Sequence, residues 1–219
     1  MNASWMERTQ LLIKEQGLER LIKAHVLIVG LGGVGSYAAE AIARSGVGNI
    51  TLIDGDSVDP SNRNRQLQAL SSTQGRNKSL LMAERILDIN PDCKLNVHER
   101  FMAPDDMKLL LKQKFSYVVD AIDSISPKLY LLHTAYYQNH KIISSMGAGG
   151  KMDPTQIQVV DISKTHTCPM AQYVRKRLKY MTIYKGIQTV FTTPRKGNAF
   201  TKTAMESGFR VYKTSCLRP

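Results

Sequence analysis

Residues 26–35 of this chain read VLIVGLGGVG, a β-branched apolar run that ends in Gly30, Gly32, Gly33 and Gly35. Glycines let a chain turn tightly and let backbone N–H groups come close to phosphate oxygens. The helix-like stretch SYAAEAIARS follows, and its N-terminus adds partial positive charge where phosphates would lie. Asp54, 22 residues beyond Gly32, ends a second apolar run, NITLID, where a carboxylate would meet ribose hydroxyls. Asp56 lies in the same strand-end segment. Strand, glycines, helix and acid together mark a nucleotide site without yet naming a reaction.

The segment at 61–66, SNRNRQ, narrows the chemistry. Arg65 has the planar fork that clamps a phosphate, and Asn62 and Gln66 can orient phosphate oxygens or a metal-bound water. Hydride transfer to a nicotinamide leaves little phosphate charge to manage, whereas adenylyl transfer leaves a great deal. A polar surface loop is the plainer reading of the same residues, and Arg63 suits it best. Lys78, at the start of the helix-like GRNKSLLMAERI, is a point cation that can reach the same phosphates. Asp123, in VVDAIDS, follows a buried-type strand and is placed to hold Mg²⁺. Asp120, three residues earlier, reads as structural, a cap on the strand's end or on the next helix.

These residues need a frame that brings strand ends together. Apolar runs place strands near 25–30, 49–54, 94–99, 116–121, 141–145 and 156–161. Helical spacing falls near 34–45, 76–90, 104–113, 126–139 and 168–180. The alternation predicts an α/β fold with a doubly wound, mostly parallel, Rossmann-like sheet and its ligand at the carboxyl ends of the strands. Residues 5–23 predict two short N-terminal helices broken at Gly17. Residues 1–193 read as a single nucleotide-binding domain, which the resemblance drawn below makes ATP-binding and adenylyltransferase-like. From Pro194 to Pro219 the periodicity is lost and six Lys/Arg face one acid, so 194–219 reads as an atypical basic tail, poorly ordered or peripheral.

Thirty Lys+Arg against 18 Asp+Glu give a net charge of +12, a balance that attracts polyanions. Residues 175–185, RKRLKYMTIYK, interleave cations with aromatics, as phosphate and base contacts require; a solvated helix face has the same composition. No apolar run is long enough to cross a bilayer, and the N-terminus lacks the pattern of a secretory signal. Three widely spaced cysteines argue for a reducing compartment, the cytoplasm, and against a disulfide framework or CxxC zinc ligands. His25, His133 and His140 lack metal-ligand spacing. His166 and Cys168 stand too close in sequence for a good base–thiol pair, and Pro169 suits a helix start there. Gly147, Gly149 and Gly150 permit a close approach of backbone to ligand, or simply a turn.

Taken in order, GLGGVG, DGDSV, SNRNRQ, the lysine after a short gap, INP at 89–91 and DAIDS resemble the ubiquitin-activating-enzyme-like adenylyltransferases. Within that superfamily, ERTQLL, SSMGAGGKMDPTQIQVVDISKT and VRKRLK are similar to the tRNA threonylcarbamoyladenosine dehydratase branch. The resemblance implies an ATP site shaped by Gly32, Gly33 and Gly35. It implies ribose held by Asp54, a triphosphate held by Asn62, Arg65, Gln66 and Lys78, and Mg²⁺ held by Asp123. It further implies adenylation of a substrate carboxylate, a tRNA substrate bearing threonylcarbamoyladenosine, a homodimer to which Arg8 contributes across the interface, and sulfur-relay partner proteins. Two other outcomes are weighed: activation of a ubiquitin-like sulfur carrier's C-terminal carboxylate, and a nucleotide-binding but inactive homologue. The second is prompted by the region after QTVFT, which departs from the family pattern as a truncation or reading-frame change near residue 194 would.

Overall fold

Strand β1 (His25–Val29) is apolar on both sides because both of its faces are covered. Val26 and Ile28 pack with Ala39, Ala43, Met82 and Ile86, from α2 (Gly35–Arg44) and α3 (Lys78–Ile89). Leu27 and Val29, pointing the other way, join Leu110, Leu131, Ala135, Val174 and Leu178. That second layer is built from α4 (Pro104–Leu110), α5 (Ile125–Tyr137) and α6 (Pro169–Tyr180). The period of two along one strand thus serves two cores. The computed structural model describes residues 4–149, 151 and 153–193.

The sheet has seven strands in the order β3-β2-β1-β4-β5-β7-β6. Strands β2 (Asn49–Ile53), β3 (Lys94–His98), β4 (Tyr117–Asp120) and β5 (Ile142–Ser145) run parallel to β1, as does β7 (Gln188–Thr192), which pairs with β5. Strand β6 (Ile157–Asp161) closes the edge antiparallel to β7. The chain winds one way from β1 to β2 and β3 and the other way from β4, so the crevice between β1 and β4 is the switch point where such sheets take ligands. The fold is therefore the α/β, mostly parallel, Rossmann-like sheet that the alternation predicts. Among the described residues no helix is long and apolar enough to cross a membrane.

Two local expectations need correction. The N-terminal helix α1 (Glu7–Lys23) breaks at Lys14, with φ 64° and ψ 173°, and not at Gly17. Gly17 instead provides room, since a Cβ there would meet the Ile13 Cβ at 2.8 Å. Strand β7 is absent from the predicted set. Its five residues, QTVFT, bury Thr189 and Phe191 while leaving Gln188 exposed, and they become a strand by pairing with β5 and β6. The expected basic tail at 194–219 and Gly150 lie outside the described residues.

A Cβ on Gly35 would overlap the carbonyl oxygen of Gly30, at the crossing where β1 turns into α2. Gly35→Ala is expected to cost about 1–3 kcal/mol, or several degrees of melting temperature by calorimetry. A variant that melts with the parent would disprove the overlap.

Candidate functional site

At the carboxyl end of β1 the backbone bends sharply. Gly30 adopts φ +86°, and a Cβ there would lie 2.8 Å from the carbonyl oxygen of Ala121, just beyond β4. The Gly30 N–H donates to Ile53 O at 2.9 Å, and the Ala121 N–H donates to Val29 O at 2.9 Å. The turn is thereby bonded to the strands on either side of it. Above it the space is open, because a Cβ at Gly32 would meet only Gln66 Nε2, at 3.8 Å.

Asp54 braces this turn from the next strand. Its Oδ2 accepts the Leu31 N–H at 2.6 Å and its Oδ1 accepts the Asp56 N–H at 2.8 Å. Burial pushes the Asp54 carboxyl above its ordinary range, and the two backbone donors and the Lys78 ammonium pull in the opposite direction. The spacing that marked Asp54 as a ribose acid did not reveal this second task. Gln68, which sequence reasoning passed over, completes the brace by donating from Nε2 to the Leu31 carbonyl at 2.7 Å.

The SNRNRQ segment folds over the same opening. Asp59 caps a short 3₁₀ turn, Pro60–Asn62, and the Asn62 Oδ1 accepts the Asp59 N–H at 3.2 Å. Asn62 is buried with its carbonyl facing the loop, which leaves the amide donors to act on an anion. A Cβ on Gly33 would touch Arg65 Cγ at 3.4 Å, so the Arg65 stem lies along the glycine turn. Its guanidinium is exposed and donates to Ser61 O and to Asn64 Oδ1, each at 3.0 Å. Gln66 is buried, and among the described residues its Oε1 has no hydrogen-bond partner. A buried orphan oxygen is costly unless something fills the site.

Lys78 opens α3 and is buried along its length, and its ammonium pairs with Asp56 Oδ2 at 3.0 Å. Asp123 stands exposed in the loop after β4, its Oδ1 accepting from Ser124 Oγ at 3.2 Å. The turn between β1 and α2, the β2 loop, the start of α3 and the β4 loop thus bring Gly30–Gly35, Asp54, Asp56, Asn62, Arg65, Gln66, Lys78 and Asp123 to one edge. The donors suit a polyphosphate: two cations, amide donors, and backbone glycines with open space above them. A free carboxylate, Asp123, is the group that would take a hard cation beside it.

Asp120 proves structural. It is fully buried; its Oδ1 accepts the Ile122 N–H at 3.0 Å, and its Oδ2 accepts from Lys128 Nζ and Ser144 Oγ, each at 2.6 Å. Lys128, fully buried on α5, also donates to Ser145 O at 2.9 Å. Its signal was present in the sequence as one lysine in the otherwise apolar turn of ISPKLYLL, eight residues after Asp120. The pair ties the β4 loop, and hence the approach to Asp123, to β5. The other candidates stay outside the site. His25 bonds Thr51 and stacks on Phe115, and His140 bonds Leu111 O. His166 turns to Thr167 and Phe191, while the buried Cys168 thiol faces Lys151 Nζ at 3.2 Å.

Comparison with known proteins places this geometry. The ThiF family model matches residues 6–197. A tRNA threonylcarbamoyladenosine dehydratase of Bacillus subtilis is 47% identical over 185 residues, covering 84% of this chain and 73% of that protein. The Escherichia coli protein of the same name is 48% identical over 181 residues, covering 80% of this chain and 67% of its own length. The crystal structure of the E. coli enzyme in complex with ATP superposes with a TM-score of 0.84 at 43% identity, covering 88% of this chain and 83% of the other.

Removing one partner of the Asp120–Lys128 pair would leave an uncompensated buried charge. Lys128→Met is expected to destabilise by about 3–5 kcal/mol in urea unfolding, and adding Asp120→Asn should recover part of that loss. Strict additivity of the two changes would show that the pair is not coupled.

Proposed function

The chain belongs to the ThiF family, and we propose that it is an ATP-dependent tRNA threonylcarbamoyladenosine dehydratase working at the carboxyl edge of its sheet. The observation that carries this reading is the Arg65 stem lying on Gly33, with an exposed guanidinium, beside a buried Gln66 whose Nε2 is the atom nearest to a Cβ placed on Gly32. In this reading backbone N–H groups of Gly32–Gly35 and the start of α2 receive phosphate oxygens. Arg65 clamps the phosphate chain, and Lys78 exchanges Asp56 for it. Asn62 and Gln66 orient its oxygens through their amide N–H groups, the unpartnered Gln66 Oε1 is left to accept from a donor such as a metal-bound water, and Asp54 adds ribose to the backbone donors it already holds. Asp123 would hold Mg²⁺, whose chemistry there would be to neutralise charge on the phosphates.

The substrate carboxylate attacks the α-phosphorus and pyrophosphate leaves, giving an acyl-adenylate. An internal nucleophile of the threonylcarbamoyl group then attacks the activated carbonyl carbon, closes the ring and expels AMP; the base has lost one water. Positioning and charge neutralisation supply this catalysis, so no side-chain nucleophile is needed. The buried Cys168 has no part in it. Activation of a ubiquitin-like carrier is not favoured, because relatives 47% and 48% identical bear the dehydratase name. The reading includes a homodimer, supported by Leu11 and Leu12 on α1 and Ile157 and Val159 on β6, all exposed. Sulfur-relay partners and a cytoplasmic location complete it on the family resemblance alone, as does residues 1–193 acting as one catalytic domain.

Incubation with ATP, Mg²⁺ and tRNA bearing threonylcarbamoyladenosine, followed by mass spectrometry of the nucleosides, should show loss of one water. Arg65→Ala should lower kcat/KM on the order of 100-fold or more. ATP binding with no water lost from any tRNA would make the chain an inactive homologue. Gly32→Ala, which meets no close neighbour, should keep the parent's melting temperature yet bind ATP more weakly in calorimetric titration. Equal affinity would remove Gly32 from the phosphate path.

A further inference from the structure

We propose that the exposed face of α6 and the loop after it, residues 172–186, form the surface on which the stem of the tRNA substrate docks. The inference rests on the RNA-modifying reading above and adds where the RNA lies. From Ile162 to Thr193 the chain contains no Asp or Glu, yet it carries six Lys or Arg. Met170, Ala171, Val174 and Leu178 seat α6 on the core. The opposite side exposes Tyr173, Lys176, Lys179 and Tyr180, and the loop adds Tyr184 and Lys185. Arg175 is not part of this face, since it turns inward and donates to Thr165 O at 2.7 Å.

Several arginines elsewhere on the surface are already paired with carboxylates. Arg44 and Arg85 pair with Glu40, Arg76 with Glu84, and Arg100 with Asp106. Among the described residues, none of Lys176, Arg177, Lys179 and Lys185 is in an ion pair. Unneutralised cations on one face keep their full attraction for a polyanion. Arg177 lies over the Tyr173 ring, 5.3 Å from its centroid, and donates to the Tyr173 hydroxyl at 2.9 Å. That contact holds a guanidinium and an aromatic ring together, the two kinds of flat surface on which bases and riboses rest.

The placement suits a stem-loop. The Gly147 N–H, beyond the carboxyl end of β5, donates to Met170 Sδ at 3.0 Å, so α6 begins at the edge that carries the candidate site. Its far end is held by the Tyr137 hydroxyl, which donates to Met181 O at 3.0 Å, beside the end of α5. Twelve residues rise about 18 Å, enough to follow several phosphates away from a modified base placed at the site. The uncharged exposed residues are tyrosines, Gln172, Thr182 and Gly186, not the leucines and phenylalanines that insert into a lipid surface.

The test uses the full chain and a fluorescent anticodon stem-loop, with anisotropy measured across a salt series. The triple variant Lys176→Glu, Lys179→Glu, Lys185→Glu should weaken binding at least tenfold and flatten the salt dependence by about two to three counterions. Tyr180→Ala with Tyr184→Ala should weaken binding by about fivefold or more and leave that slope unchanged. Calorimetric ATP affinity and melting temperature should match the parent in both variants. Unchanged RNA affinity and slope in the triple variant would overturn the surface, even if the enzyme dehydrates tRNA normally. A chain that binds the stem-loop through these residues but removes no water would sink the dehydratase reading and leave the surface standing. Binding of phosphatidylglycerol vesicles through the same lysines, with no binding of RNA, would make the face a membrane contact and refute the proposal.

Discussion

The carboxyl edge of this sheet is organised by the absence of side chains at Gly30 and Gly35. The carbonyl of Gly30 occupies the position a Cβ of Gly35 would need, and a Cβ on Gly30 itself would press against Ala121. Only with both positions bare can the chain leave β1, reverse and start α2 while touching the loop that leaves β4. That contact closes the switch point between the two halves of the sheet. It leaves backbone donors above a floor only a few atoms thick. The other candidate groups reach this edge from the segment after β2, the start of α3 and the loop after β4.

Two buried carboxylates hold the edge from either side. Asp54 binds two backbone N–H groups of neighbouring segments, and Asp120 gathers a lysine, a serine and a backbone N–H. The same residue type at the same kind of strand end has different duties because the partners differ. Asp120 has a fully buried cation against it, whereas Asp54 faces backbone dipoles and the edge of an opening. Asp123, three residues past Asp120, has no such packing around it and stays exposed to solvent. This division of labour leaves one acid of the three without a buried partner.

Much of this was legible in the sequence, because long-range constraints there leave local marks. A parallel central strand is apolar on both faces, a tight crossover needs glycines, and strand ends carry polar residues; each appears as a short pattern around 26–35, 49–56 and 116–123. What stayed hidden depends on partners distant in sequence. Nothing in ISPKLYLL says that Lys128 reaches Asp120 and Ser145, and nothing in NITLID says that Asp54 holds Leu31. Strand β7 was missed because its five residues become a strand only by filling the gap between β5 and β6. The break in α1 was expected at the residue with the most backbone freedom. It falls at Lys14 because Ile13 packs onto Gly17, where only a hydrogen leaves it room.

The ion pair between Lys78 and Asp56 has a consequence for turnover. Lys78 is nearly stripped of water in the folded chain, so its ammonium must always rest on an anion. Asp56, half exposed, can return to solvent at small cost when a phosphate replaces it. If Lys78 takes the phosphate role proposed for it, it would act as a two-position latch with an internal default. A nucleotide with a long phosphate chain would then compete well for it, and one shortened to a single phosphate would compete poorly. Each catalytic cycle would then end with Asp56 reclaiming the lysine, a resident competitor that helps push spent nucleotide out.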